Sequence, residues 1–337
     1  MKKIIFIIYL TISIIVAYSQ NPALDPNWEI VFQDDFTSFN TNRWKIENNK
    51  AHGKDSAEEQ QIYTSDNVYT QNGKLVLRTI RQNHACPLGN SCNYGGVHNF
   101  TSGEIKSKST YKYGYFEIYA KIPDGEGYWP AFWLYDSDHD NCWYNEIDIF
   151  EGKGCITDSV TCNVHWNFEC PMPEDPNLHD DVRTIPAANY SQTYHWYGLE
   201  WNTNTITWYV DRQKVRSEPN SWGGYGIQHP MHIIINSALF PISWTCADTS
   251  NIVTPNYMYV DQANKYRLRC DSNTVVNEIY NYSSFYYAVK KSIALGAVSS
   301  LSSGQNIFLK ATDFIELKQG FEVPCGAQLS LETTPCE

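Results

Sequence analysis

Three carboxylates on six consecutive residues, Glu146, Asp148 and Glu151 in the run Glu-Ile-Asp-Ile-Phe-Glu, are the densest chemistry in this chain. In an extended strand, side chains alternate faces. Glu146, Asp148 and Phe150 then share one face, Ile147 and Ile149 fill the other as core, and Glu151 points with the isoleucines. One extra residue, a β-bulge, rotates Glu151 back beside Glu146 and Asp148. Two glutamates on one face with an aspartate between them supply what glycosidic cleavage needs: a nucleophile and a proton donor. Solvated acids on an edge strand are the competing reading. Trp129, Trp133 and Trp143 just upstream weigh against it, because indole faces suit the apolar faces of sugar rings and exposed indoles mark binding surfaces.

The elements around this stretch read as strands and turns. Trp28-Glu29-Ile30-Val31-Phe32 is a first strand. Asn67-Val68-Tyr69 and Lys74-Leu75-Val76-Leu77 flank Asn72-Gly73, a hairpin by its turn chemistry. Residues 101–108 and 115–122 alternate polar and apolar side chains. So do the two runs either side of Asn202-Thr203-Asn204: Tyr197, Leu199 and Trp201, then Ile206, Trp208 and Val210. No long 3.6-residue period occurs, so the chain is all-β, with many antiparallel strands in two packed sheets. Residues 171–193, rich in prolines and acids, read as a long loop at the cleft rim. Beyond Arg269 the pattern changes to apolar pairs spaced by one: Ile293/Leu295, Ile307/Leu309, Ile315/Leu317, Phe321/Val323 and Leu329/Leu331. Short strands stacked into a small β-repeat module follow from that pattern.

Trp-Pro-Ala-Phe-Trp-Leu at 129–134 followed by Glu-Ile-Asp-Ile-Phe-Glu resembles glycoside hydrolase family 16, and within it the laminarinase-like branch with a bulged catalytic motif. The resemblance runs from about Trp28 to Arg269. It includes Thr-Ser-Gly-Glu-Ile-Lys at 101–106, Tyr-Gly-Tyr-Phe-Glu at 113–117, Asn-Val-His-Trp at 163–166, Tyr-His-Trp-Tyr-Gly-Leu-Glu-Trp at 194–201 and Met-Tyr-Val-Asp at 258–261. It implies a concanavalin-like jelly-roll sandwich with a glycan cleft, Glu146 as nucleophile, Glu151 as general acid and base, and Asp148 holding the nucleophile's geometry. It also implies that His165 lies on the leaving-group side, that Trp129, Trp133, Trp143 and Asn67 contact the sugar, and that Asp261 binds a structural calcium ion with oxygens near Asp35 and Gly73. No cofactor is implied for catalysis. Two stretches depart from the family pattern: residues 236–244, Asn-Ser-Ala-Leu-Phe-Pro-Ile-Ser-Trp, and Cys142-Trp143-Tyr144-Asn145 before the nucleophile. Residues 311–323, Ala-Thr-Asp-Phe-Ile-Glu-Leu-Lys-Gln-Gly-Phe-Glu-Val, resemble the coat-hanger-stack modules appended to secreted bacterial proteins.

Met1-Lys2-Lys3 and the apolar run Ile4 to Ala17, closed by Ala-Tyr-Ser, have the parts of a secretory signal ending at Ser19. The expected organisation is a signal at 1–19, a catalytic domain at 20–270 and the repeat module at 271–337. That makes the protein secreted, with no membrane span, and a monomer. Ten cysteines fit an oxidising compartment. Cys86 with Cys92 and Cys325 with Cys336 are close enough to pair, the other six have no assigned partners, and no Cys-x-x-Cys pair suggests zinc. With 37 Asp and Glu against 25 Lys and Arg, the chain carries net charge −12 and is a poor partner for nucleic acid. Lys153 is the one cation in residues 126–154, which disfavours a sulfated galactan. The expected substrate is a neutral polysaccharide, β-1,3-glucan first, with mixed-linkage glucan or agarose behind it. A lectin-like binding protein is the alternative from another class.

Overall fold

The structure, a computed structural model, describes residues 21–25, 28–51, 59–86, 96–136, 144–169, 179–187, 189–203, 205–240, 251–269, 273–276, 284–296 and 301–333. These residues form three sheets and three short 3-10 turns. The sheet that carries the acids has seven strands, in spatial order His179–Pro186, Ile156–Asn167, Tyr144–Lys153, Tyr128–Tyr135, Met231–Leu239, Glu104–Tyr111 and Trp44–Ile46. Every neighbouring pair in it is antiparallel. The acid strand Tyr144–Lys153 is therefore interior, clamped by the tryptophan strand Tyr128–Tyr135 on one side and by the histidine strand Ile156–Asn167 on the other.

A ten-stranded sheet lies against it, with Thr205–Val210, His195–Trp201, Gly114–Lys121, Asn256–Leu268 and Leu75–Cys86 at its centre. All its pairs are antiparallel except Gln61–Tyr63 with Gly96–Ser102. The two sheets share one core: Phe132, Leu134, Ile147, Ile149 and Val164 from the acid sheet meet Leu75, Leu77, Ile118, Leu199, Met258 and Val260 from the other. Each fully buried aliphatic contributes about 1.5–3 kcal/mol. Sliding the acid strand by one residue would exchange Ile147 and Ile149 for carboxylates, so the core alone fixes which side chains face outward.

The Asn72-Gly73 hairpin forms as its turn residues require. Asn72 and Gly73 have φ of +53° and +69°, and Gln71 and Lys74 exchange backbone N–H···O bonds of 2.9 and 3.1 Å. Two positive φ angles in succession give the type I′ turn that matches strand twist. One expected loop is a strand instead. His179–Pro186, within residues 171–193, pairs along its length with the histidine strand. It is an exposed edge strand, with only Ile185 buried among its eight residues. An edge strand wetted on both faces carries no apolar alternation, which is why its sequence looks like a loop.

The third sheet is built differently. Strands Asn273–Val276, Ser284–Leu295, Asn306–Leu317 and Gln328–Thr333 pair in parallel. Ile307 lies between Phe285 and Leu329, and Ile315 beside Ile293, so partners are 22 residues apart. Four of the five apolar pairs seen in sequence lie on these strands and stack as a column with its own core of Ile293, Leu295, Leu301, Ile307, Leu309 and Ala311, while Phe321 and Val323 fall between strands. Gly304 and Gly326, also 22 apart, turn at φ +87° and +89°, and Gly304 N–H donates to the Gly326 carbonyl at 2.9 Å.

The cysteines correct two expectations. Cys325 is an exposed free thiol, so it does not close a loop with Cys336. Cys162, one of the six expected to pair, is also free: it points into the sandwich core, where no second cysteine reaches it and Arg216 Nη1 lies 3.5 Å from its sulfur. Cys155 is disulfide-bonded. No helix among the described residues is long and apolar enough to cross a membrane.

Candidate active site

The register around the acid strand decides the geometry. Glu146 faces Tyr135 and Glu151 faces Ala131 on the tryptophan strand, while on the histidine strand they face His165 and Thr161. Five residue steps on the acid strand are thus matched by four on each neighbour, with the shift beginning after Asp148. An even count returns Glu151 to the face of Glu146. The surplus is absorbed inward: Ile147, Ile149 and Phe150 are all core, and Phe150 packs on Tyr197 with ring centroids 4.3 Å apart. The buried Trp208 of the opposite sheet donates its indole N–H to the Asp148 carbonyl at 2.9 Å, tying the irregular segment to the core. Gly154, just past the strand, admits no side chain, since a Cβ there would lie 2.0 Å from the Gly125 carbonyl.

Two adjoining cavities of about 500 and 430 Å³ open over this strand, and Trp129, Tyr144, Glu146 and Glu151 line both. Asp148, Ala131, Trp133, Tyr135, Asn236 and Glu59 complete the first; His165, Asn163, Val182 and Phe240 complete the second. The acid pair therefore stands at the waist of a cleft with room on either side for a polymer.

Each carboxylate has its own set of partners. Glu146 accepts from the Tyr144 hydroxyl. Glu151 accepts from Trp129 Nε1 at 2.7 Å and from Asn163 Nδ2. Asn163 Nδ2 also donates to Asp148 Oδ2 at 3.0 Å, bridging the two acids. His165 Nε2 lies 3.0 Å from the same Asp148 oxygen and its Nδ1 lies 2.6 Å from Asp180 Oδ1. Carboxyl oxygens of Glu146 and Asp148 and a His165 nitrogen all fall within 4.8 Å of one another. Burial, then the charge of Asp148, pushes both Glu146 and Glu151 up to about 8. Burial alone would lower His165, but the hydrogen bond and charge of Asp148, with Glu146 and Asp180 behind them, raise it to about 11. At neutral pH the site holds an imidazolium against Asp148, with Glu146 and Glu151 both shifted toward their protonated forms.

Trp129 and Trp133 both line the cleft, and Trp133 is fixed by a relay: its Nε1 donates to Asn236 Oδ1 at 3.0 Å, Asn236 Nδ2 to the Tyr63 hydroxyl at 2.8 Å, and that hydroxyl to Glu59 Oε1 at 3.1 Å. Asn67, expected to contact the sugar, does not line either cavity. It is buried, donating to Thr64 Oγ1 at 2.8 Å and accepting from Arg78 Nε at 3.0 Å. Trp143 lies outside the described residues. Of the calcium set, Asp261 is ion-paired with Lys74, Asp35 accepts from the backbone and hydroxyl of its own neighbour Thr37, and Gly73 forms the hairpin turn. A side-chain cation already takes the aspartate, so these residues as arranged do not fit a calcium ion. Tyr144, Asn163, Asn236, Asp180, Glu59 and Phe240 are site residues that sequence reasoning did not single out. Tyr144, Asn163, Asn236 and Phe240 do lie inside stretches noted for other reasons.

The family model for Glycosyl hydrolases family 16 matches residues 55–259. The chain is similar to glucan endo-1,3-beta-glucosidase A1 of Niallia circulans, 30% identical over 197 residues that cover 54% of this chain and 28% of that one. It spans about a third of the length of the first curated relatives it matches. Among solved structures it is similar to the endo-1,3-beta-glucanase (laminarinase) catalytic domain of Thermotoga petrophila RKU-1, at TM-score 0.58 and 26% identity, covering 72% of this chain and 98% of that one. It is also similar to a structure from work on endo-acting O-glycanases of the human gut microbiota, at TM-score 0.62 and 25% identity, covering 73% and 93%.

Proposed function

The chain belongs to glycosyl hydrolase family 16, and from that premise we propose that it is a secreted, endo-acting, retaining β-glucanase of the bulged, laminarinase-like branch, with β-1,3-glucan as its substrate. The observation that carries this reading is the five-against-four register, which sets Glu146 and Glu151 on one wall of a two-sided cleft. Glu146 attacks the anomeric carbon while Glu151 protonates the departing glycosidic oxygen. The resulting glycosyl ester on Glu146 is opened by a water that Glu151 deprotonates, and two inversions return the β configuration. The asymmetry of charge supports this division. The His165 imidazolium lies within 4.8 Å of the Glu146 and Asp148 carboxyls and favours negative charge there, which suits Glu146 as the ionised nucleophile and Glu151 as the proton donor. Esterifying Glu146 removes one negative charge from the site, which eases ionisation of Glu151 and lets it act as the base.

Aromatic rings and four carboxylates line the cavities, and among the described residues no lysine or arginine does, which suits a neutral chain and repels an anionic one. The relatives' names point to 1,3-linked glucan. Residues 1–19 serve as an export signal in this reading, 20–270 are the catalytic domain, and 271–337 are a coat-hanger-like appendage. We assign no calcium, because binding at Asp261 would have to displace Lys74.

The test is release of reducing ends from a panel of laminarin, mixed-linkage glucan, agarose and mucin O-glycans, with proton NMR of the first product. Fastest cleavage of laminarin with a β-anomer formed first is expected. A first-formed α-anomer would overturn the mechanism; faster cleavage of another polymer would overturn the substrate.

A further inference from the structure

Across the sandwich from the cleft, the solvent face of the ten-stranded sheet carries aromatic side chains where a wetted sheet face ordinarily carries short polar ones. Alternation fixes their direction. Met258, Val260, Ile118, Ala120, Tyr197 and Leu199 enter the core. Their neighbours Tyr257, Tyr259, Tyr119 and Trp196 therefore point outward, half-buried against one another. Trp196 faces Tyr119 in register and stacks on it at 4.8 Å and 25°. Tyr194 leans on Tyr119 at 5.4 Å and 39°, and Tyr257 stacks with Tyr259 at 5.8 Å and 28°. Tyr69 and Tyr259 flank Val76 on either side in one register line. That line crosses the strands carrying Tyr69, Val76, Tyr259 and Lys121 to reach Tyr194 just before the next strand, a span of roughly 19 Å at ordinary strand spacing.

The charges on this face are already used. Lys121 lies over Tyr259 at 5.8 Å, and Lys74 lies over Tyr194 at 5.1 Å while pairing with Asp261. Arg212 covers Trp196 at 4.0 Å and holds the buried Glu117 at 2.9 Å. Arg78, in register with Tyr257, donates to Asn67 Oδ1 at 3.0 Å and to the Asp66 carbonyl at 3.1 Å. An aromatic patch whose cations are each engaged by a ring, a carboxylate or a carbonyl offers apolar contact with little free charge. That favours an uncharged, flat ligand rather than an anionic one. Pyranose rings of a neutral β-linked polysaccharide have such faces, and a polymer held in the cleft is long enough to supply them.

We propose that this outer face is a second glycan-binding surface, on which a neutral β-glucan chain lies across Tyr69, Tyr257, Tyr259, Tyr119, Trp196 and Tyr194 and keeps the enzyme on insoluble polymer. The proposal rests on the substrate class proposed above and on nothing in the catalytic step. It is tested by sedimentation of the full chain with insoluble β-1,3-glucan, alongside turnover of a short soluble laminari-oligosaccharide. Tyr119→Ala/Trp196→Ala and Tyr257→Ser/Tyr259→Ser should each weaken binding to the solid about tenfold or more while oligosaccharide turnover stays within twofold. Folded variants that still bind the solid as the unaltered chain does would overturn it, as would loss of binding matched by equal loss of oligosaccharide turnover. A change from dimer to monomer in light scattering would also overturn it, in favour of self-association. Should a variant fail to fold, the unaltered chain decides. With the cleft saturated by oligosaccharide it should stay on the solid, and complete release would overturn the proposal. If the panel shows another polymer to be the substrate, the same sedimentation is run on that polymer, so the two readings fail separately.

Discussion

The acid strand and the C-terminal stack are both β-structure, yet they use register in opposite ways. In the stack, residues 22 apart face one another: Ser284 over Asn306 over Gln328, and Leu295 over Leu317. The register departs from that interval only around Lys290 and then resumes. At the acid strand, five steps answer four, and the carbonyl beside the irregularity is held by Trp208. Regular register maximises ladder bonds and column packing. The irregular segment gives up ladder regularity to bring two acids to one face, and buries both glutamates enough to raise them to about 8. Chemistry sits where the repeat is broken.

The comparison breaks most visibly at Glu146. Glu146→Gln should lower kcat by more than about a thousandfold, since an amide forms no glycosyl ester. The fold should gain from the same change. Glu146 titrates at about 8 against an ordinary 4.5, so ionising it in the folded state opposes folding at all pH above 4.5. Tm at pH 7 should rise for the variant, with the gain vanishing near pH 4; a lower Tm at pH 7 would show that the site is not strained by its charges.

His165→Gln removes the cation that favours ionised Glu146. The acidic limb of kcat/KM should then move to higher pH, and kcat should drop roughly 10- to 100-fold. An unmoved limb would reduce His165 to a structural hydrogen-bonder. Trp208→Phe keeps an aromatic ring in the core but deletes the indole N–H that donates to the Asp148 carbonyl. About 1–2 kcal/mol of stability and about tenfold in kcat should be lost, with KM little changed. If kcat is untouched, the irregular segment needs no such tether.

At the far end of the scale lies Leu309→Ala in the stack. A buried leucine truncated to alanine destabilises its surroundings by about 2–5 kcal/mol. Protease sensitivity of residues 271–337 should rise while oligosaccharide turnover stays within twofold. Parallel loss of turnover would mean that the stack and the cleft are energetically one unit.

Much of this was legible in the chain itself because it depends on local rules. Strand alternation, the Asn72-Gly73 turn and the need for one extra residue before Glu151 all follow from residues a few positions apart. The hidden parts depend on partners far away in sequence. Asn236 reaches Trp133 from a strand about a hundred residues on, and Asn163 and Asp180 act through neighbouring strands. Asn67 was misplaced because an asparagine's type does not say whether it faces a cleft or, as here, Thr64 and Arg78. The strand His179–Pro186 escaped because polar edge residues carry no period. Cysteine parity misled for Cys162, since an even number of thiols says nothing about which of them lies in a dry core.

The 22-residue interval of the stack has a consequence for insertions and deletions. Removing residues 306–327 would excise one whole rung and bring the Gln328 strand onto the Ser284 strand, side chain matched to side chain. The loss would lower the column by a single strand spacing, about 4.8 Å. Removing an odd number instead would turn Leu329, now packed against the stack's core, to water and aim Ser330 at that core. The module can therefore be lengthened or shortened only in whole rungs, like a ruler graduated in units of one strand.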